Sequence, residues 1–255
     1  MNILLDTTIQ IDRITGSKER KEAVEAELKG NDLYCTTYVL GEYYHTIISD
    51  YITLFALFLI DRDIGETGKR ITERVFHRSQ ARVSKLYASI VALCDSDLDE
   101  IEDVFRLYLD ILQNSFFIDL KEVINKTECA HAETKVIYED GKPVLQPPLA
   151  CRKNEEKCGV CRLWRDSIKE IDQIIAARQV SDKILDILIS AREDESNYRG
   201  RNCMTLGDMI ICLETLKSEK KLAVCSSNKS DFQPICDILG IELVIPDYSF
   251  KKQGT

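Results

Sequence analysis

Apolar residues come in short solid blocks near the two ends of the chain and in helix-period spacing through its middle. Asn2 to Leu5 reads NILL and runs into Asp6-Thr7-Thr8, the pattern of a buried parallel strand with an acid at its carboxyl end. Lys18 to Lys29 predicts an exposed helix, with Val24 and Leu28 one turn apart and Gly30-Asn31 closing it. Leu33 to Thr36 predicts a second strand. Thr36 or Thr37 then caps a helix that carries Leu40, Tyr43, Tyr44 and Ile47, with Glu42 in its first turns.

From Asp50 to Cys94 the pattern is helical, with a break near Asp61 to Gly68. Leu98 to Glu128 predicts one long helical stretch. Cys129 to Cys161 departs from it, because Gly141, Pro143, Pro147 and Pro148 exclude a continuous helix. Leu163 to Ala191 returns to helix, with Ile168, Ile171, Ile174 and Ile175 along one face. Beyond the polar connector Glu193 to Arg201, a helix starts near Leu206 with Asp208 in its first turn. The strand Leu222 to Cys225 follows, then a polar turn with Asp231, a helix from Phe232 to Leu239 closed by Gly240, and a last strand from Ile241 to Ile245. The expected class is α/β. Residues 1–94 and 196–250 would form one domain around a parallel sheet. Residues 95–195 would be an inserted helical hairpin, with a cysteine-rich zinc loop at 129–161.

Charge narrows the function classes. The 255-residue chain carries a net charge of −9, which excludes coating of nucleic acid by bulk attraction. A local basic surface remains available: Arg70, Arg74, Arg78 and Arg82 recur every four residues and Lys85 follows, one drifting stripe if all lie on a single helix. The bland alternative for that stripe is a solvated face. No basic segment precedes an apolar run at the start. The longest apolar stretch, Tyr51 to Ile60, is short of the roughly 20 residues a bilayer needs. A cytoplasmic address with no membrane contact is therefore expected, and the ten cysteines are expected to be reduced.

Asp6, Glu42, Asp208 and Asp231 each stand at a strand end or a helix start, where open parallel sheets build their sites. Clustered carboxylates there suit Mg²⁺ or Mn²⁺, which prefer oxygen ligands and can activate water for phosphodiester hydrolysis. Taken singly, each acid could equally be a helix cap or a surface charge.

The segments N-I-L-L-D-T-T, T-T-Y-V-L-G-E-Y, L-G-D-M-I-I-C-L and L-A-V-C-S-S-N-K-S-D-F resemble, in this order, the motifs of PIN-domain nucleases, toxin-type members included. The resemblance covers about residues 1–50 and 200–247. It implies a three-layer α/β/α fold with a parallel sheet of about five strands, and metal-dependent endonuclease activity, usually on RNA. Asp6, Glu42 and Asp208 match the family's metal ligands, and Asp231 its commonly acidic fourth position. Thr7, Ser226 and Asn228 match polar positions that orient ligands or water. The long insertion departs from the family and leaves the target open. RNA is the expected substrate, and DNA or a flap structure is the rival within the same chemistry. A PIN-like scaffold that binds a protein or nucleic-acid partner through its insertion is the rival outside it. An inhibitor protein and a second copy of the chain also stand as candidate partners.

Cys158-Gly-Val-Cys161 is a Cys-x-x-Cys knuckle, preceded by Cys151 and by Cys129-Ala-His131. Four thiolates in a closed set suit structural Zn²⁺, so Cys129, Cys151, Cys158 and Cys161 are the expected ligands, with His131 as the alternative to Cys129. A redox pair, an iron–sulfur cluster and plain thiols are the competing readings. The other cysteines lie mostly in apolar patterns and are expected in the core.

Overall fold

In chain order the strands are β1 (Asn2–Leu5), β2 (Asp32–Thr36), β3 (Leu120–Ile124), β4 (Lys135–Glu139), β5 (Lys142–Gln146), β6 (Leu222–Cys225) and β7 (Leu243–Val244). This is a computed structural model, and it describes residues 1–94, 101–146 and 159–249. Five strands make one sheet in the order β3-β2-β1-β6-β7, and every pairing in it is parallel. The chain is thus α/β, compatible with a three-layer α/β/α arrangement. The strand order reverses between β1 and β6, so the crevice at their carboxyl ends is where such a sheet places ligands.

The chain divides into two compact units, Met1–Gly41 with Asp119–Glu133 and Pro148–Thr255, and Glu42–Ile118 with Thr134–Pro147. The first unit holds the sheet. The central strands β1 and β6 are short and apolar because both faces are covered, as parallel pairing requires. Ile3 and Leu5 point to one face, opposite Leu33, Ala223 and Cys225 in register. There they join Ile9 of helix α1 (Thr7–Thr15) and Val24 and Leu28 of α2 (Lys18–Leu28) in one buried cluster. Leu4 and Val224 point the other way and are equally buried. After β2 the Thr36 hydroxyl accepts the Val39 amide at 3.2 Å, which starts α3 (Thr37–Tyr43). The carboxyl-terminal part supplies α8 (Gly159–Asp166), α9 (Ile168–Ala177), α10 (Asp182–Glu193), α11 (Arg201–Thr205), α12 (Gly207–Lys217) and α13 (Lys229–Leu239). Gly240 closes α13 at φ 66°, where a side chain would be strained.

The second unit is built on α4 (Ser49–Asp61), α5 (Ile64–Arg74), α6 (His77–Leu93) and α7 (Ile101–Ser115), with the β4–β5 hairpin. Its core is aromatic. The Phe105 ring stacks on Phe55 at 5.1 Å and on Phe58 at 4.5 Å between centroids. Tyr51 donates to the Phe105 carbonyl at 2.7 Å, and Tyr43 to that of Leu112 at 2.9 Å, so the buried hydroxyls are satisfied. Phe105→Ala is expected to destabilise the protein by about 3–5 kcal/mol, read as a lowered midpoint in urea.

Four expectations change. The stretch from Leu98 to Glu128 is not one helix: α7 ends at Ser115, Asp119 takes a left-handed φ of 63°, and β3 follows as an edge strand of the main sheet. Residues 95–195 are therefore not a purely helical insertion, since they give the sheet one of its strands. Within the proline-rich segment, Lys135–Gln146 forms an antiparallel hairpin turned at Asp140-Gly141, both at positive φ. The helical region Asp50–Cys94 has a second break at Val75-Phe76, between α5 and α6. Finally, α3, a π-helical turn at Tyr44–Ile48 and α4 continue as one segment, Thr37–Asp61, whose most apolar 18 residues have a mean hydropathy of 1.3. Its length and composition would suffice to cross a bilayer, and half of its most apolar window is buried in the protein.

Candidate active site

Asp6 directly follows β1 and caps α1. Its Oδ1 accepts the Thr7 amide at 2.6 Å, and its Oδ2 accepts the Thr8 hydroxyl at 2.7 Å, the Ser226 hydroxyl at 2.8 Å and the Thr8 amide at 3.4 Å. The side chain is 3 % exposed. Burial pushes its pKa up, and the hydrogen bonds from Thr8, Ser226 and Thr7 pull it back only in part. These partners are all neutral donors: among the described residues no lysine or arginine forms an ion pair with Asp6.

Ser226 follows β6 as Asp6 follows β1, and the pairing of Leu5 with Cys225 sets the two side by side. Beyond it the network continues to α13. Ser226 Oγ accepts the Asn228 amide at 3.0 Å, Asn228 Nδ2 donates to Asp231 Oδ2 at 2.7 Å, and Ser230 Oγ donates to Asn228 Oδ1 at 3.1 Å. Asp231 is exposed in the first turn of α13, where an acid complements the helix dipole. Asp6, Ser226, Asn228 and Asp231 are thus joined by one chain of hydrogen bonds.

Asp208 lies in the first turn of α12. One turn later, the buried Cys212 thiol has its pKa pushed well up, by burial, by the Cys236 thiol 3.9 Å away, and then by the charges of Asp208 and Asp6. One buried thiol therefore lies within electrostatic reach of both carboxylates. Glu42 belongs to the other compact unit, near the end of α3, where its carbonyl accepts the Thr46 hydroxyl at 2.7 Å. Among the described residues no three His, Cys, Asp or Glu side chains are gathered closely enough to hold an ion between them.

Of the polar positions around the acids, Ser226 and Asn228 sit in this hydrogen-bond network. Thr7 contributes its amide to Asp6, and the hydroxyl that binds Asp6 is that of Thr8, which also accepts the Ser227 amide at 3.2 Å. A hydroxyl two residues after a capping acid folds back onto it, which is the signal the sequence held.

In the cysteine-rich segment, Cys151 and Cys158 lie outside the described residues. Cys129 and Cys161 are buried, and burial lowers the pKa of His131. The segments that carry them touch. A Cβ added at Gly159 would lie 2.1 Å from the Thr127 carbonyl oxygen, so only glycine lets the start of α8 approach there. Arg162 also binds Glu128 at 2.9 Å.

The basic stripe is divided between α5 and α6 by the break at Val75-Phe76 and does not run along one helix. Two of its members are held within the second unit, Arg70 by Asp61 at 2.9 Å and Arg82 by the buried Asp50 at 2.6 Å. Arg74 and Lys85 are exposed; the side chain of Arg78 lies outside the described residues.

One buried acid on the helix of Asp208 escaped the sequence. Glu214, in the middle of α12, is 0 % exposed, and burial raises its pKa to about 7. Comparison with family models, with curated proteins and with solved structures returned no match to this chain.

Proposed function

We propose that the chain is a divalent-metal-dependent endonuclease that hydrolyses phosphodiester bonds, with RNA as its substrate. The observation that carries this is Asp6: a buried carboxylate at the point where strand order reverses, ringed by neutral donors and with no cationic partner among the described residues. A buried charge of that kind is held at a cost unless something positive joins it. The donors around it are carboxylate and hydroxyl oxygens, which fit Mg²⁺ or Mn²⁺ and not a soft metal. Such an ion supplies charge neutralisation at the phosphate and an acidified water. The chain's own part is to hold and aim. Thr7, Thr8 and Ser226 fix both oxygens of Asp6, and Asn228 fixes Asp231. Asp208 brings its charge to the same neighbourhood from α12. The resemblance to PIN-domain nucleases gives Glu42 the role of a ligand or of the group that orients the attacking water. Arg74 and Lys85 are the stripe members exposed to a nucleic-acid backbone.

Incubation of the purified chain with labelled tRNA, mRNA and single-stranded DNA tests this, in Mg²⁺, in Mn²⁺ and with chelator. Cleavage of RNA that needs metal and is lost in Asp208→Asn is the expected result. No metal-dependent cleavage of any substrate overturns the reading, and cleavage of DNA alone overturns its choice of RNA.

The same reading includes structural Zn²⁺ on Cys129, Cys151, Cys158 and Cys161, with His131 as the alternative ligand. Its support is the contact of Thr127 and Glu128 with Gly159 and Arg162, which brings the Cys129 segment against the helix that carries Cys161. Elemental analysis of protein purified without chelator is expected to find zinc, reduced in Cys161→Ser; zinc-free protein of normal stability removes this assignment.

A further inference from the structure

Glu214 occupies a junction. Neither of its carboxylate oxygens meets a partner at hydrogen-bond geometry, although the side chain is fully buried. Two segments nonetheless turn donors toward it: Thr36 at the end of β2 offers its hydroxyl, and beyond β3 Thr127 offers hydroxyl and amide and Lys126 its amide. These groups pull its pKa down, and burial pushes it up by more. The segments are tied to one another as well. Thr37 Oγ1 donates to Asn125 Oδ1 at 2.9 Å and lies 3.4 Å from Thr127 Oγ1.

Asp6 acts on two of the thiols around this point and has its own pKa raised by burial, so an Asp6→Asn background separates its titration from that of Glu214. Cys35 on β2, which feels the Glu214 charge, is pushed to about 12 by burial, and Cys212 on α12 is also pushed far up. Lys126 has its side chain in solvent, and Lys217 at the end of α12 is paired with Glu170 at 2.9 Å. Asp208 stands six residues before Glu214 at the start of the same helix.

We propose that Glu214 is a positioning residue whose neutral carboxyl clasps α12, the helix of Asp208, to the end of β2 and to residues 125–127, and whose ionisation loosens residues 125–127. The linkage gives the sign. Opening that segment wets the carboxyl and returns it toward its ordinary acidity, so each rise in pH between the open and closed pKa values favours the open form. The consequence reaches past the clasp, because Cys129 lies two residues after Thr127. Its role in activity rests on the nuclease reading; its hold on residues 125–127 does not.

Amide hydrogen exchange of Lys126 and Thr127 in the full chain, from pH 5.5 to 8.5 and corrected for intrinsic rates, tests the clasp. In wild type the opening constant is expected to rise about tenfold between pH 6 and pH 8 and then level off. Glu214→Gln should remove that rise. Thr127→Val, which deletes one of the donors that favour the anion, should move the levelling to higher pH, and it keeps the test alive if the glutamine variant does not fold. A wild-type profile with no inflection, or one that Thr127→Val leaves in place, overturns the proposal. In parallel, the Glu214→Gln to wild-type ratio of metal-dependent cleavage should grow over the same pH range. The exchange inflection without any cleavage upholds the clasp and overturns the nuclease reading, whereas cleavage without the inflection does the reverse.

Discussion

Asp6→Asn is expected to remove metal-dependent cleavage and, in the absence of metal, to raise the melting temperature. The two effects have one cause. The Asp6 carboxylate is buried, and its pKa is raised because desolvation outweighs the hydrogen bonds it accepts. A raised acid contributes stability while it is protonated and loses that contribution as pH rises through its folded pKa. As pH rises the ionised form of this carboxyl becomes costly to hold in the fold, and an isosteric neutral side chain carries no such cost. Asparagine also largely suits the position: its oxygen can cap α1 as Oδ1 does, the Thr8 and Ser226 hydroxyls can turn to accept from its amide, and only the long contact from the Thr8 amide at 3.4 Å is given up. The loss of activity should be about a hundredfold or more, the scale of losing a metal-holding charge from a phosphodiester site. Thermal melts with and without Mn²⁺ give a further check, since added metal should stabilise wild type and leave Asp6→Asn unmoved. A melting temperature that falls in the variant, together with wild-type cleavage rates, would return Asp6 to the role of a plain helix cap.

How far the chain could be read in advance depended on whether a residue's environment was local. NILL and LAVC are solid apolar blocks followed at once by Asp6 and by Ser226, and both became central parallel strands. β3 was hidden because LKEVI is an edge strand with exposed Lys121 and Glu122, so it carries no apolar block, and it follows helix-period leucines without a proline between them. The hairpin had a signal in Asp140-Gly141, but Pro143 argued against a strand. The structure accommodates Pro143 because the two-stranded sheet consists of edges only, and there a missing N–H is tolerated. Glu214 was beyond pattern reasoning for another reason. Met209 to Thr215 are all buried, so α12 has no polar face against which one misplaced acid would stand out. The arginine stripe is divided by the break between α5 and α6, and the partners of Arg70 and Arg82 come from 9 and 32 residues earlier, beyond what spacing within a helix can show.

Glu214→Gln is expected to stabilise the protein by about 3 kcal/mol at pH 8 and to leave its stability near that of wild type at pH 4. The folded pKa of about 7 stands against an ordinary 4.5. In wild type the protonated carboxyl contributes its full stabilisation below the unfolded value. That contribution drains away as pH rises from about 4.5, and it is exhausted once the folded group ionises near 7. The slope is set by protons: in that window the native chain holds one that the unfolded chain has released. Glutamine cannot ionise, so its curve should lack this descent, and urea unfolding at half-unit pH steps would trace the difference. The Glu214→Gln profile need not be flat, since Asp6 adds a descent of the same sign from its own raised pKa. The double variant with Asp6→Asn separates them. The two carboxyls respond to different donors, Thr8 and Ser226 for one and Thr36 and Thr127 for the other, so their stabilising effects should add. A wild-type curve parallel to that of Glu214→Gln across the window would show that water already reaches the Glu214 carboxylate in the folded chain, and the buried junction would then lose its meaning.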